Sequence, residues 1–231
     1  MITDFPETFN IAQYFLDHNI EAGRGEKVCL RWWNGEATYK EVYDDANRFA
    51  HALGALGLRW EERVLMCLPD RYEFAPVWFG LLKAGGVFAM VNPHLPEADY
   101  GHYLSYTRAR VAVVDGKSFE KMLPHLPKAN HLLAVVVVDG PDYLGTDPRV
   151  HRFEELLAAA PSDHICADTG PDDVAGWLFT SGSTGKPKGV QLSHAGLANL
   201  LRWQLQHERL AQPARTLQFA SFSFDVSFQE S

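Results

Sequence analysis

Hydrophobic positions along the chain switch spacing in a regular alternation, and that alternation predicts the order of elements. Residues 10–19 place Ile11, Tyr14, Phe15 and Leu16 together, as a short amphipathic helix does. Residues 27–33 read as a strand, Asn34-Gly35 as a hairpin turn, and residues 36–38 as the returning strand. Thr38 and Glu41 match a capping box, after which Val42, Ala46, Phe49, Ala50 and Leu53 continue one helical face toward Gly54 and Gly57. Short apolar runs at 63–68, 87–91, 111–114 and 132–138 have the character of buried strands. Between them lie a helix over 72–83, capped by Asp70 and stopped by Gly85-Gly86, another from Pro96 through Tyr106, and a short one near Phe119. Repeated βαβ units of this kind predict an α/β fold with mainly parallel sheets and helices on both faces.

From 139 to 173 the composition shifts to Gly, Pro and Asp, interrupted by a helical stretch at 153–160. Such a shift marks a subdomain boundary or an excursion across the surface. The apolar run 174–179 and the short strand 190–192 follow, and Ser193 can cap a helix opening near His194 that carries Leu197, Leu200, Leu201 and Leu205 on one face. Residues 216–220 read as a further strand.

The stretch that carries chemistry joins the two strand-like pieces: Thr180-Ser181-Gly182-Ser183-Thr184-Gly185-Lys186-Pro187-Lys188-Gly189. Its glycines allow close backbone approach to a ligand, while its hydroxyls and two ammonium groups supply donors and positive charge, a combination suited to phosphate. A Walker A loop is excluded, because the position five residues after Gly182 is Pro187 and five after Gly185 is Val190. No G-x-G-x-x-G dinucleotide fingerprint occurs either. A flexible Gly/Ser hairpin would explain the glycines but not two lysines flanking a proline in this register.

Those ten residues resemble the phosphate-binding loop of the adenylate-forming superfamily, which includes acyl- and aryl-CoA ligases, peptide-synthetase adenylation domains and luciferases. The resemblance extends over essentially the whole chain. It implies the incomplete N-terminal portion of such an enzyme: residues 1–170 as a first α/β subdomain of the AMP-binding domain, and 171–231 as the phosphate loop and the start of a second. It also implies ATP with Mg2+, and coenzyme A or a phosphopantetheine carrier protein as acceptor. Thr180, Ser181, Gly182, Ser183, Thr184, Gly185, Lys186 and Lys188 are then expected to hold the ATP phosphates. Lys188 is the expected catalytic residue, as a clamp on phosphate charge rather than a proton donor.

A second motif, Phe219-Ala220-Ser221-Phe222-Ser223-Phe224-Asp225-Val226-Ser227, is similar to the F-D-x-S core of peptide-synthetase adenylation domains. Carried over, Asp225 pairs with the α-amino group of an amino acid substrate, and Phe224, with Phe222 and Phe228, supplies pocket wall. A carboxylate suits that role because a buried ammonium needs a charged partner, although Asp is also a preferred helix N-cap. By contrast Val91-Asn92-Pro93 and Ala109-Arg110-Val111-Ala112-Val113-Val114-Asp115 resemble benzoate-type aryl-CoA ligases. The two parts thus point to an amino-acid-activating domain, with an aryl- or acyl-CoA ligase as the alternative. A non-catalytic nucleotide-binding or interaction fragment is the alternative from another class. The family's magnesium-binding glutamate, ribose-binding aspartate and adenylation lysine are expected beyond Ser231, which leads us to expect a chain that is catalytically incomplete alone.

Composition narrows the partners. A formal charge of -8 disfavours the basic surface that nucleic-acid binding relies on. Cys29, Cys67 and Cys166 form no C-x-x-C pair, and His94, His102, His125 and His131 have no H-E-x-x-H context, so no metal site is expected. The thiols read as buried residues in a reducing compartment. The opening Met1-Ile2-Thr3-Asp4-Phe5-Pro6 lacks signal-peptide features, and the longest apolar stretch, near 132–138, is too short for a bilayer. A cytoplasmic location is expected.

Overall fold

A computed structural model describes residues 5–180 and 187–206. Strand β1 (Val28–Trp32) and β2 (Gly35–Thr38) form a separate antiparallel hairpin. The main sheet has seven strands: β3 (Arg63–Cys67), β4 (Val87–Met90), β5 (Val111–Asp115), β6 (Ala134–Val138), β7 (Val150–Arg152), β8 (Val174–Thr180) and β9 (Lys188–Ser193). Their spatial order is β7-β6-β5-β3-β4-β8-β9, parallel throughout except for the antiparallel β8–β9 pair at one edge. The expected mainly parallel α/β architecture is therefore present.

Alternation along each strand sorts the sheet's two faces. Val64, Met66, Phe88, Val113 and Val136 point into one core beneath α2 (Tyr39–Ala55), α3 (Phe74–Lys83), α6 (Phe153–Ala159) and α7 (His194–Gln206). Leu65, Cys67, Ala89, Ala112, Val114 and Val135 point into the other, beneath α4 (Glu97–Thr107), α5 (Gly116–Met122) and the 3-10 helix Leu123–Lys128. Strands buried on both faces need side chains that are apolar at every position, which explains the uninterrupted valine runs.

Local chemistry sets most element ends. Thr38 caps α2 with a complete capping box: its hydroxyl accepts from the Glu41 amide, and the Glu41 carboxylate accepts from the Thr38 amide at 2.7 Å. Gly85 ends the turn after α3 with φ +73°, a conformation that side chains disfavour. The start of α3 differs from expectation: it opens at Phe74, with Glu73 rather than Asp70 in the N-cap position. The β1–β2 turn is also displaced, since Gly35 pairs with Trp32 and the turn residues are Trp33-Asn34. A Cβ at Gly35 would stand 2.5 Å from the Trp32 ring, which would have to shift. The N-terminal helical segment contains a π-helical stretch, Gln13–Asp17, before α1 (His18–Glu21). Strand β7 was not expected from sequence; its three half-buried residues, Val-His-Arg, show no periodicity.

Residues 161–173 are an excursion across the surface, stitched down almost residue by residue. The Asn47 amide donates to Ser162 O, Lys83 Nζ lies 3.4 Å from Ile165 O, the Ala167 amide donates to Lys83 O at 2.7 Å, and Thr169 exchanges bonds with Phe9. The chain then enters β8 beside β4 in the same sheet, so among the described residues position 170 separates no two sheets. A second subdomain beginning at 171 is a proposal about the residues that follow.

Candidate functional site

The described ends of the expected phosphate loop, Thr180 and Lys188, are the paired ends of strands β8 and β9. Pairing runs from Trp177 opposite Gln191 through Leu178–Val190 and Phe179–Gly189 to Thr180 opposite Lys188. Thr180 and Lys188 are thus neighbours at the strand ends, both exposed, one offering a hydroxyl and the other an ammonium. The expected phosphate ligands Ser181, Gly182, Ser183, Thr184, Gly185 and Lys186 lie outside the described residues, as do the expected substrate residues Phe224 and Asp225 and the strand expected at 216–220.

Aromatic side chains support the hairpin from beside α4. The Phe179 ring meets Tyr103 edge-on at 4.9 Å and Tyr106 at 6.1 Å, while Tyr106 also meets Trp177 and the Arg63 guanidinium lies 5.9 Å from the Trp177 ring. On the sheet's other side Gly176 pairs with Phe88, and a Cβ there would drive into the buried Phe88 ring. That glycine lets β8 lie flat against β4.

At the hairpin's base β9 runs into α7. The Ser193 hydroxyl accepts from the Gly196 amide, the cap expected from the sequence. His194 is almost wholly buried, and its Nδ1 accepts a 3.1 Å hydrogen bond from the Ile11 amide. Burial pulls its pKa down to about 4, so the ring is neutral at physiological pH. Sequence reasoning marked His194 only as a helix start; a bond across 183 residues leaves no local signal.

A buried ion pair was also not legible. Lys83 Nζ stands 2.7 Å from Asp17, both shielded from water, beneath the Tyr43 ring. Burial is the main influence on the Asp17 carboxyl and raises its pKa, against the lowering effect of the Lys83 hydrogen bond. The pair fastens the π-helical stretch to the end of α3 rather than facing the hairpin tip.

Other chemistry-bearing residues are poorly suited to catalysis. Cys67 is buried, Cys29 and Cys166 are half-buried, and burial pushes each thiol up to about 11, leaving little thiolate. Among the described residues no three His, Cys, Asp or Glu side chains stand together as a metal cage, and no helix is long and apolar enough to cross a membrane.

A mostly parallel sheet covered by helices on both faces matches the N-terminal part of the large domain in solved adenylate-forming enzymes. The chain belongs to the AMP-binding enzyme family, whose pattern matches residues 16–230. It is 37% identical over 193 residues to a benzoate–CoA ligase of Thauera aromatica, covering 83% of this chain and 35% of that protein. It is 33% identical over 220 residues to the nonribosomal peptide synthetase flvI of Aspergillus flavus, covering 95% of this chain and 18% of that one. The anthranilate CoA ligase AuaEII, solved in complex with anthranoyl-AMP, superposes with TM-score 0.80 at 25% identity, over 88% of this chain and 38% of the ligase. The chain therefore spans between about a fifth and two fifths of these relatives, and both subfamilies suggested by its motifs are among them.

Proposed function

We propose that this chain supplies the phosphate-binding part of an ATP-dependent enzyme that activates a carboxylic acid as an acyl-adenylate and passes it to a thiol, with an amino acid as the preferred acid. The observation that carries this reading is the register of the β8–β9 hairpin, which sets Thr180 opposite Lys188 at the two ends of the loop. In the first step a carboxylate oxygen attacks the α-phosphorus, and the bond to the departing pyrophosphate breaks. Two anions must meet, and positive donors around the β- and γ-phosphates reduce their repulsion and stabilise charge on the leaving group. Lys188 and Lys186, the hydroxyls of Thr180, Ser181, Ser183 and Thr184, and the backbone at Gly182 and Gly185 supply those donors. Magnesium, arriving with the nucleotide, would neutralise further phosphate charge. The thiol of coenzyme A or of a phosphopantetheine carrier then displaces AMP. A compartment holding ATP and reduced thiols, the cytoplasm, fits this chemistry.

Lys188→Ala tests the reading by ATP–pyrophosphate exchange in the longest polypeptide that carries this chain. A fall of roughly a hundredfold in kcat/KM is expected for removing a charged phosphate donor. Unchanged exchange would remove Lys188 from the mechanism.

The aryl acid is a second reading, favoured by the 37% identity to a benzoate–CoA ligase. Substituting Asp225 separates the two. Loss of amino-acid-dependent exchange supports the first, and unimpaired use of an uncharged aryl acid supports the second.

A further inference from the structure

Strand β9 has no fully buried side chain, and among the described residues its only strand partner is β8. Of its side chains only Leu192 packs against the core among the described residues, so much of its direction, and with it the position of Lys188 at the other end, is set elsewhere. Its fixed points lie at the base. There the His194 amide donates to Asp173 O at 3.1 Å, the Ala195 amide donates to Pro171 O at 2.8 Å, and the Gly170 amide donates to the Asp173 carboxylate at 2.7 Å. Beyond this knot, Thr169 exchanges bonds with Phe9 and Leu197 and Ala198 of α7 enter the core, while from His194 itself the imidazole accepts from the Ile11 amide in the N-terminal segment.

The segment on the far side of that contact is itself firmly held. Asn10 Nδ2 donates to Leu82 O at 2.8 Å, Asn10 Oδ1 accepts from the Ala12 amide at 2.9 Å, and the Phe9 amide donates to Thr169 O at 2.6 Å. Ile11 lies in the first turn of its helix, where amides have no intrahelical acceptor, and it is fully buried. His194 Nδ1 is its acceptor, and that role requires an unprotonated Nδ1.

We propose that His194 is a positioning residue for the phosphate-binding hairpin: through Ile11 it fastens the base of β9 to the N-terminal segment and so sets where Thr180 and Lys188 stand. This inference rests on the reading of the hairpin tip as a phosphate site. His194 touches no substrate and moves no proton; it acts through the direction of β9.

Three variants separate the tie from general packing. In His194→Asn the amide oxygen can take the place of Nδ1; in His194→Gln the acceptor moves to the place of Nε2; His194→Leu has none. Hydrogen exchange on the 231-residue chain reads the tie directly. In the Leu and Gln variants, the Ile11 amide and the β9 amides should exchange about tenfold faster or more, and in the Asn variant within about threefold of native. ATP–pyrophosphate exchange in the longest polypeptide carrying the chain reads the consequence. The KM for ATP should rise about tenfold in the Leu and Gln variants, with kcat and the KM for the acid within about twofold of native. If His194→Leu does not fold, the contrast between Asn and Gln decides. Native exchange in β9 of the Leu or Gln variant overturns the proposal whatever the loop binds. So does an equal change in all kinetic constants, or a lowered melting temperature with an unchanged KM for ATP. A native protein without ATP-dependent exchange would instead overturn the phosphate-site reading, while hydrogen exchange would still decide whether His194 fastens β9.

Discussion

Strands β3 to β6 and the hairpin β8–β9 share one sheet but are held in different ways. Every residue of β6 is fully buried, and β3, β4 and β5 are nearly so, which leaves removal of apolar surface from water as the force that fixes their place. In β9 no residue is fully buried; Leu192 packs partly buried against the core, and the rest of its place is set by the ladder to β8 and a knot of polar contacts at its base. The contrast teaches where chemistry can be carried. The apolar half is a rigid platform, and the polar groups proposed for phosphate stand at its edge, where individual hydrogen bonds must do the positioning that packing does elsewhere.

The largest expected effect lies at the buried Asp17–Lys83 pair between the π-helical stretch and α3. Lys83→Met leaves the Asp17 carboxylate buried without its hydrogen-bonded lysine and should cost about 3–5 kcal/mol at neutral pH, measured by urea denaturation. The double change with Asp17→Leu should recover most of that. A single variant as stable as the native chain would show that the pair does not hold the π-helical stretch to α3.

Next comes the pH dependence of the hairpin's base. The folded chain holds the pKa of His194 at about 4, against an ordinary 6.5. The unfolded chain therefore takes up a proton between about pH 6.5 and 4 that the folded chain refuses. Stability from this group is constant above that window and falls as the pH drops through it, by about 3 kcal/mol in all. Asp17 works in the opposite sense, because its raised carboxyl pKa favours protonation of the folded chain as the pH falls. Subtracting the profile of His194→Asn isolates the histidine, and identical profiles would contradict its burial.

The smallest effect distinguishes two glycines of the same hairpin. Gly176→Ala pushes a methyl into the Phe88 ring and should cost about 2–3 kcal/mol, whereas a Cβ at Gly189 would stand 3.4 Å from Phe179 and Trp177 and should cost less than about 1 kcal/mol. Equal costs in thermal denaturation would show that β8 does not depend on its close approach to β4.

Much of the platform was legible in the sequence because its signals are local. The valine run before Val138, the Thr38–Glu41 box and the Gly85-Gly86 stop each declare themselves within a few residues. The two strand-like pieces at 174–179 and 190–192 were legible for the same reason, as was the Ser193 cap, but their antiparallel pairing with each other was not. The order of the strands was not, since nothing in β8 announces that it will lie beside β4. Nor were two long-range ties: Ile11 to His194 and Asp17 to Lys83 join residues whose neighbours say nothing of each other. Gly35 was misread as a turn residue because a glycine that makes room for a ring and one that makes a turn look alike in sequence.

The central claim is that the hairpin tip grips the polyphosphate of ATP, and the most direct measurement is the acetylation rate of Lys188 in the longest polypeptide carrying this chain, with ATP or with AMP. At ATP about ten times its dissociation constant, the rate at Lys188 should fall roughly tenfold, while AMP, which lacks the β- and γ-phosphates, should leave it unchanged. Equal reactivity of Lys188 with ATP, with AMP and with neither would contradict the account.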